Sequence, residues 1–446
     1  MKILVVGGGG REHALAWKLR QSPRVSAVYA APGNAGIAAV ADCVPIDASS
    51  VVELAEFAEK VRIDLTVVGG ELPLTLGIAE EFEKRELKLF GASRAAAEIE
   101  SSKVFAKEFM GRHGIPTAAF VACASPEEAL AALRRRGKPD FPVVLKADGL
   151  ASGKGVVIAD SAADAEGAVA DIMKRRKFGT AGDQIVIEDF LRGPEVSFFA
   201  LSDGEYVLPL VTCQDYKRAG DANRGPNTGG MGAFSPSIHV TQEIFEQVLD
   251  EVFVPAIRGL DQEGRTYRGV LYAGVMLTGQ GPRVLEFNAR FGDPEAQVLL
   301  ARLKSDLAEA LLATVERRID ALEVEWHRER AVCVVMASEG YPESYQTGKT
   351  VEGLERAAAV PGVTVFHAGT RRSDKGAVLT AGGRVLGVTA LAGTFEAARA
   401  GAYAAVDSIH FSNRYFRKDI AREAVNHEHR AHAGSSAARR TRGASS

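Results

Sequence analysis

Short apolar runs separated by helical patterns fill the first hundred residues, and this alternation limits the possible fold more than any other feature. Residues 3–6 read as a buried strand, and residues 12–19 as a helix with Ala14, Leu15, Lys18 and Leu19 on a packed face with a polar edge. Residues 25–30, 65–68 and 87–90 are further strand candidates, with helices expected at about 50–61 and 74–85. Strands alternating with helices call for a parallel sheet covered on both faces.

The pattern changes at Ser101-Ser102-Lys103. A helix to about 113, a helix over 126–136, strands over 142–146 and 156–158, a helix over 164–174 and a strand over 184–188 are expected next. Residues 196–201 and 206–211, joined at Asp203-Gly204, read as a hairpin. Residues 214–237 are polar and glycine-rich without periodicity, as a functional loop would be. A helix over about 241–262 and strands over 269–277 and 284–288 close this part. From residue 331, strands over 331–337, 363–368, 377–380 and 384–390 precede a helix over 395–409. Residues 427–446 hold four Arg, three His and one Glu among Ala, Ser and Gly, and read as a solvated, disordered basic tail.

The chain of 446 residues is long enough for about three domains at ~150 residues each. Its net charge of −3 gives no polybasic surface for nucleic acid, and 46% apolar residues exclude wholesale disorder. Cys43, Cys123, Cys213 and Cys333 lie far apart, so buried reduced thiols are expected rather than a disulfide scaffold or zinc knuckle. There is no apolar run of about 18 residues for a membrane span and no signal-peptide pattern, so the expected location is the cytoplasm.

Three stretches carry chemistry. Gly7-Gly8-Gly9-Gly10-Arg11-Glu12-His13, between the first strand and helix, could cradle an anion on backbone amides or be a plain tight turn. It does not meet the Gly-x-Gly-x-x-Gly dinucleotide fingerprint, which weakens an oxidoreductase reading. Gly149-Leu150-Ala151-Ser152-Gly153-Lys154-Gly155 lies between two strands and is not a P-loop, but glycines around a lysine suit a flap over a triphosphate. Lys146 ends a strand nearby, as a second cation or a surface lysine. In Glu286-Phe287-Asn288-Ala289-Arg290, alternate residues share a strand face. Glu286 and Asn288 are hard-oxygen ligands suited to magnesium, and Arg290 can clamp a phosphate or carboxylate.

Together, Gly8 to Leu15, Pro32-Gly33-Asn34, Lys146 to Val156, Gly225 to Gly232 and Glu286 to Glu295 resemble the glycinamide ribonucleotide synthetase family of the ATP-grasp superfamily, over residues 1 to about 426. One departure is Gly70, where the family usually has proline.

The resemblance implies an open parallel α/β N-terminal (pre-ATP-grasp) domain over 1–102. It implies an ATP-grasp domain over 103–330 with a mobile lid at about 120–190, and a small α+β C-terminal domain over 331–426. It also implies ATP-dependent joining of glycine to 5-phosphoribosylamine, with Mg2+ or Mn2+, by a monomer. Lys103, Lys146, Gly149, Ser152, Gly153, Lys154 and Gly155 would face ATP phosphates, Glu188, Phe190 and Leu191 the adenine, and Glu195 the ribose. Glu286 and Asn288 would bind metal. Gly9, Gly10, Arg11, Asn34 and Glu71 would hold phosphoribosylamine. Lys146, Arg290, Asp215 and Lys217 would act at the reacting centre, the last three also touching substrate.

Overall fold

The computed structural model describes residues 1–135, 141–150 and 155–442, so Ser152, Gly153 and Lys154 lie outside the described residues. The first unit is a five-stranded parallel sheet in the order Asp42–Cys43, Ala27–Pro32, Lys2–Gly7, Leu65–Val68, Leu89–Phe90. Its central strand is apolar throughout because both faces are covered. Ile3 and Val5 pack with Ala14, Leu15 and Leu19, while Leu4 and Val6 pack with Leu54 and Ala58. The helix expected over 74–85 is two helices, Glu71–Thr75 and Ile78–Lys84, parted at Gly77 with φ 84°. The earlier helix starts at Glu71 and so sets that carboxylate just beyond the strand Leu65–Val68.

The middle unit holds two four-stranded sheets. One runs Phe120–Cys123, Ile185–Asp189, Val143–Ala147, Val156–Ala159. The other runs Val207–Pro209, Glu195–Ser202, Gly269–Thr278, Gly281–Asn288, all antiparallel. The hairpin expected after residue 195 is present. A register shift between Gly274 and Val275 sets Glu286 opposite Gly274.

The segment 214–237 is not a free loop. Gly232–Ser235 pairs with Gln214–Asp215 on one side and with Arg330–Ser338 on the other. It thereby joins the sheet that Arg384–Ala392 and Val363–His367 complete. Strands this short show no period in sequence, and their pairing is settled by partners a hundred residues away. Residues 427–442 also differ from expectation: one helix, Arg422–Arg442, runs through them. Its first turns are docked, since Glu428 accepts from Arg330 Nε at 3.0 Å and from the Phe395 amide at 2.7 Å. Cys43 is exposed rather than buried. No helix among the described residues is long and apolar enough to cross a membrane.

Arg417 ties the 216–223 stretch to the C-terminal unit. It is 1% exposed, donates to both Asp419 oxygens at 2.8 Å, to Arg218 O at 3.0 Å and to Asn223 Oδ1 at 3.1 Å, and lies over the Tyr216 ring. Replacing it strands a carboxylate and two acceptors. Arg417→Met should therefore lower stability by about 3–5 kcal/mol, read as a lower urea midpoint.

Candidate active site

The glycine turn that ends the first strand closes on its own carboxylate. Glu12 Oε2 accepts from the Gly9 amide at 2.6 Å, the carboxylate half of a capping box, and Arg11 Nε donates to Glu12 Oε1 at 2.8 Å. A Cβ at Gly69 would run into the Glu12 side chain, so glycine is required where the strand Leu65–Val68 leaves the sheet. Asp293 packs against the same turn; a Cβ on Gly10 would sit 3.3 Å from its Oδ1. Asn34 is committed at both ends of its amide. Nδ2 donates to Gly8 O at 2.9 Å and His367 O at 2.8 Å, and Oδ1 accepts from Gly36 and Ile37 amides at 2.9 Å. It ties the N-terminal loops to the C-terminal unit, a different task from the substrate contact expected of it.

Two cavities occupy the cleft. The first, about 430 Å³, has Val144, Ile158, Leu191, Met276 and Leu285 as apolar walls and Phe190 beside them. Lys146, Glu188 and Glu195 are among its charged groups. The second, about 360 Å³, is lined by Arg11, Glu71, Glu100, Lys103, Asn288, Arg290, Asp293 and Glu295, with Gly149 and Gly155 at one edge. Asp215, Lys217 and Glu286 line both, so the cavities meet at these three side chains.

The charges here are ordered. Desolvation alone would raise the pKa of half-buried Glu286, but Lys103, Lys217, Lys146 and Arg290 bring it down to about 2. Lys217 pairs with Glu195, and its Nζ is 3.7 Å from Asp215 Oδ1. Burial raises the pKa of Asp215 against the pull of Lys217, and Glu295 adds to the rise. Arg290 sits between two carboxylates: Nε is 3.2 Å from Glu71 Oε2, and Nη2 is 2.8 Å from Glu100 Oε1. Burial works against ionised Glu71, yet Arg290 and Arg11 hold it at about 2. Glu188 is buried between Lys146 Nζ at 2.9 Å and Lys107 Nζ at 3.0 Å.

Models of the phosphoribosylglycinamide synthetase N domain, ATP-grasp (A) domain and C domain match residues 1–100, 101–296 and 331–423. The chain belongs to this family. Phosphoribosylamine–glycine ligases of Escherichia coli K12 and Allochromatium vinosum are 48% and 50% identical to it, each over 96% of this chain and all of theirs. The crystal structure of the Thermotoga maritima phosphoribosylamine–glycine ligase superposes with TM-score 0.80 at 34% identity, covering 94% of this chain and all of that one. A biotin carboxylase complex from Campylobacter jejuni shares the fold, with TM-score 0.71 at 15% identity over 93% and 92% of the two chains. The three-part architecture and the ATP-grasp core expected from sequence are therefore those of the family.

Within that family frame, the structure brings the expected Arg11, Glu71, Lys103, Lys146, Glu188, Glu195, Asp215, Lys217, Glu286, Asn288 and Arg290 to one cleft. Sequence reasoning missed Glu100, Lys107, Tyr341 and Arg384. Tyr341 Oη accepts from the Gly229 amide at 3.0 Å, and Arg384 donates to the Gly229 and Asp293 carbonyls. No local motif marks these residues; each meets its partner across the fold.

The N- and C-terminal units meet at a histidine pair. His13 Nδ1 accepts from the His367 amide at 2.7 Å, and the two rings are 5.7 Å apart. Burial, then the neighbouring His367, lowers His13 to about 3; burial, then Arg372, lowers His367 to about 4. Below pH 6.5 the unfolded chain binds protons that the folded chain refuses, so stability falls as pH drops. From pH 6.5 to 5 this amounts to about 2 kcal/mol per histidine. Urea unfolding across this range should show His13→Gln losing about 2 kcal/mol less than the unaltered chain.

Proposed function

We propose that this chain joins glycine to 5-phosphoribosylamine through a glycyl phosphate formed where the two cavities meet, at Glu286, Asp215 and Lys217. ATP-dependent formation of glycinamide ribonucleotide, a step of purine biosynthesis, is the family activity to which the chain belongs. The observation that carries the reading is that junction: one cavity has the walls of a nucleotide site, the other has paired guanidinium and carboxylate groups, and both open on Lys217, Asp215 and Glu286.

A carboxylate is a poor acyl donor near neutral pH, so glycine must first take the γ-phosphoryl group of ATP. Phe190, Leu191 and Met276 would flank the adenine, Glu188 would face its amino group and Glu195 the ribose. Lys103, Lys146 and Lys217 would neutralise phosphate charge, with Gly149 and Gly155 beside them. Arg290 would hold the glycine carboxylate and its acyl phosphate, its orientation kept by Glu71 and Glu100. Arg11 and the Gly9-Gly10 turn would receive the phosphate of phosphoribosylamine. Asp215, with its raised pKa, would take a proton from the attacking amine as phosphate leaves.

Glu286 and Asn288 fit a divalent cation shared with phosphates. Among the described residues no group of three or more His, Cys, Asp or Glu forms a closed metal cage. A magnesium site normally needs only one or two protein oxygens besides phosphate and water. Glu286 is held ionised, and Asn288, which lines the same cavity, carries an amide oxygen of the kind magnesium takes. Magnesium or manganese held there would neutralise charge on the phosphoryl oxygens. We read the chain as a cytoplasmic monomer acting on small molecules, with neither nucleic acid nor membrane as a partner.

The test is ADP release with magnesium and ATP, leaving out each substrate in turn. Release should need both glycine and fresh phosphoribosylamine, and Glu286→Gln should lower kcat by about 10³-fold. Release with a different carboxylate and amine, and none with this pair, would overturn the substrate assignment.

A further inference from the structure

Among the buried charged groups, Lys107 has no part in the chemistry above and lines neither cavity. It projects from the helix Lys103–Arg112 and is 2% exposed. Its ammonium is 3.0 Å from Glu188 Oε2 and donates to Thr117 Oγ1 at 2.6 Å; Thr117 in turn donates to Val284 O at 2.6 Å. Lys107 is therefore anchored from behind to the strand that carries Glu286.

Glu188 divides its two oxygens. Oε2 is held by Lys107, while Oε1 lies 2.9 Å from Lys146 Nζ without a hydrogen bond directed to it. Lys146 Nζ donates instead to Leu285 O at 2.9 Å. Two ammonium groups thus share one carboxylate, leaving one positive charge in surplus, and Lys146 and Glu188 both line the nucleotide cavity.

We infer that Lys107 is a positioning residue for the nucleotide: it neutralises Glu188 from behind, which keeps Oε1 free for an adenine amino group and the Lys146 charge free for phosphates. The physical argument is the cost of a bare buried carboxylate. With Lys107 gone, Lys146 is the one counter-ion left in an ion pair with Glu188 among the described residues. Turning Lys146 toward phosphate would then leave Glu188 buried and unpaired. The inference rests on the assignment of the larger cavity to ATP.

Binding of ATP alone, by calorimetry on the full chain, reads this without ligation. Lys107→Met should raise the Kd for ATP roughly tenfold. Its preference for ATP over ITP, which carries a carbonyl in place of the amino group, should shrink as well. In steady state the KM for ATP should rise while the KM values for glycine and phosphoribosylamine stay within about twofold. Lys107→Arg should recover most of the loss, because it keeps the charge. Thr117→Val, which removes only the anchor, should give a smaller rise in Kd and guards against a Lys107→Met chain that fails to fold.

An unchanged Kd for ATP in folded Lys107→Met, or in Thr117→Val and Lys107→Ala if Lys107→Met does not fold, would overturn the inference. So would an equal rise in all three KM values. If the unaltered chain binds ATP but makes no glycinamide ribonucleotide, the reaction assignment fails and this test still stands.

Discussion

A guanidinium held between two carboxylates, largely out of water, is stable only as a complete set, and the arrangement of the cleft depends on such a set. Arg290 lies just beyond the strand Gly281–Asn288, while Glu71 and Glu100 come from the N-terminal part of the chain. Glu100 is 7% exposed, and its other oxygen accepts from the Ala289 amide at 2.7 Å. Each desolvated ion alone would cost several kcal/mol, so the three hold one another in place. This triad joins the parallel sheet to the ATP-grasp core and fixes the direction of Arg290 at the same time.

The same device recurs across the cleft with different members. Lys107, Glu188 and Lys146 form a second, buried set, and Asp215, Lys217 and Glu195 a third that is partly exposed. In each, opposite charges hold one another, and in the second Lys107 stands behind the groups that line the cavity. The side chains that face ligand are thereby oriented before ligand arrives, which is the condition under which electrostatic stabilisation of a transferring phosphoryl group is most effective. The C-terminal unit extends the scheme to the backbone. Arg384 and Tyr341 grip Gly229 from its carbonyl and amide sides, and Arg384 also reaches the Asp293 carbonyl. The 226–230 stretch is therefore shaped by residues more than a hundred positions downstream.

Much of the fold was legible because local pattern and tertiary context agreed. The run Ile3 to Val6 is apolar at every position, and only a strand covered on both faces satisfies that. The hairpin at Asp203-Gly204 was legible from its turn. The errors have local causes of their own. Gly77 adopts a left-handed conformation and divides a helix whose apolar pattern reads as continuous. Gly232–Ser235 is a four-residue strand whose assignment depends on Arg330–Ser338, and no window of neighbouring residues contains that information. The helix Arg422–Arg442 begins with turns docked by Glu428, although composition alone suggests a solvated tail.

The candidate site divides in the same way, and the division is physical. Residues that would meet ligand lie in short, chemically distinctive strings, since a strand or turn must present several of them together: Glu286 with Asn288 and Arg290, or Asp215 with Lys217. Their counter-charges are under no such constraint. Lys107 reaches Glu188 from 81 positions away and Glu100 reaches Arg290 from 190, each from an ordinary helical context. Sequence therefore names the groups proposed to act but not the counter-charges that surround them. Asn34 shows the converse: a motif residue whose amide is spent on Gly8, Gly36, Ile37 and His367, so that what it holds directly is a loop. Whether a motif side chain touches ligand or holds the residue that does is decided by its hydrogen-bond partners, and those are set by the fold.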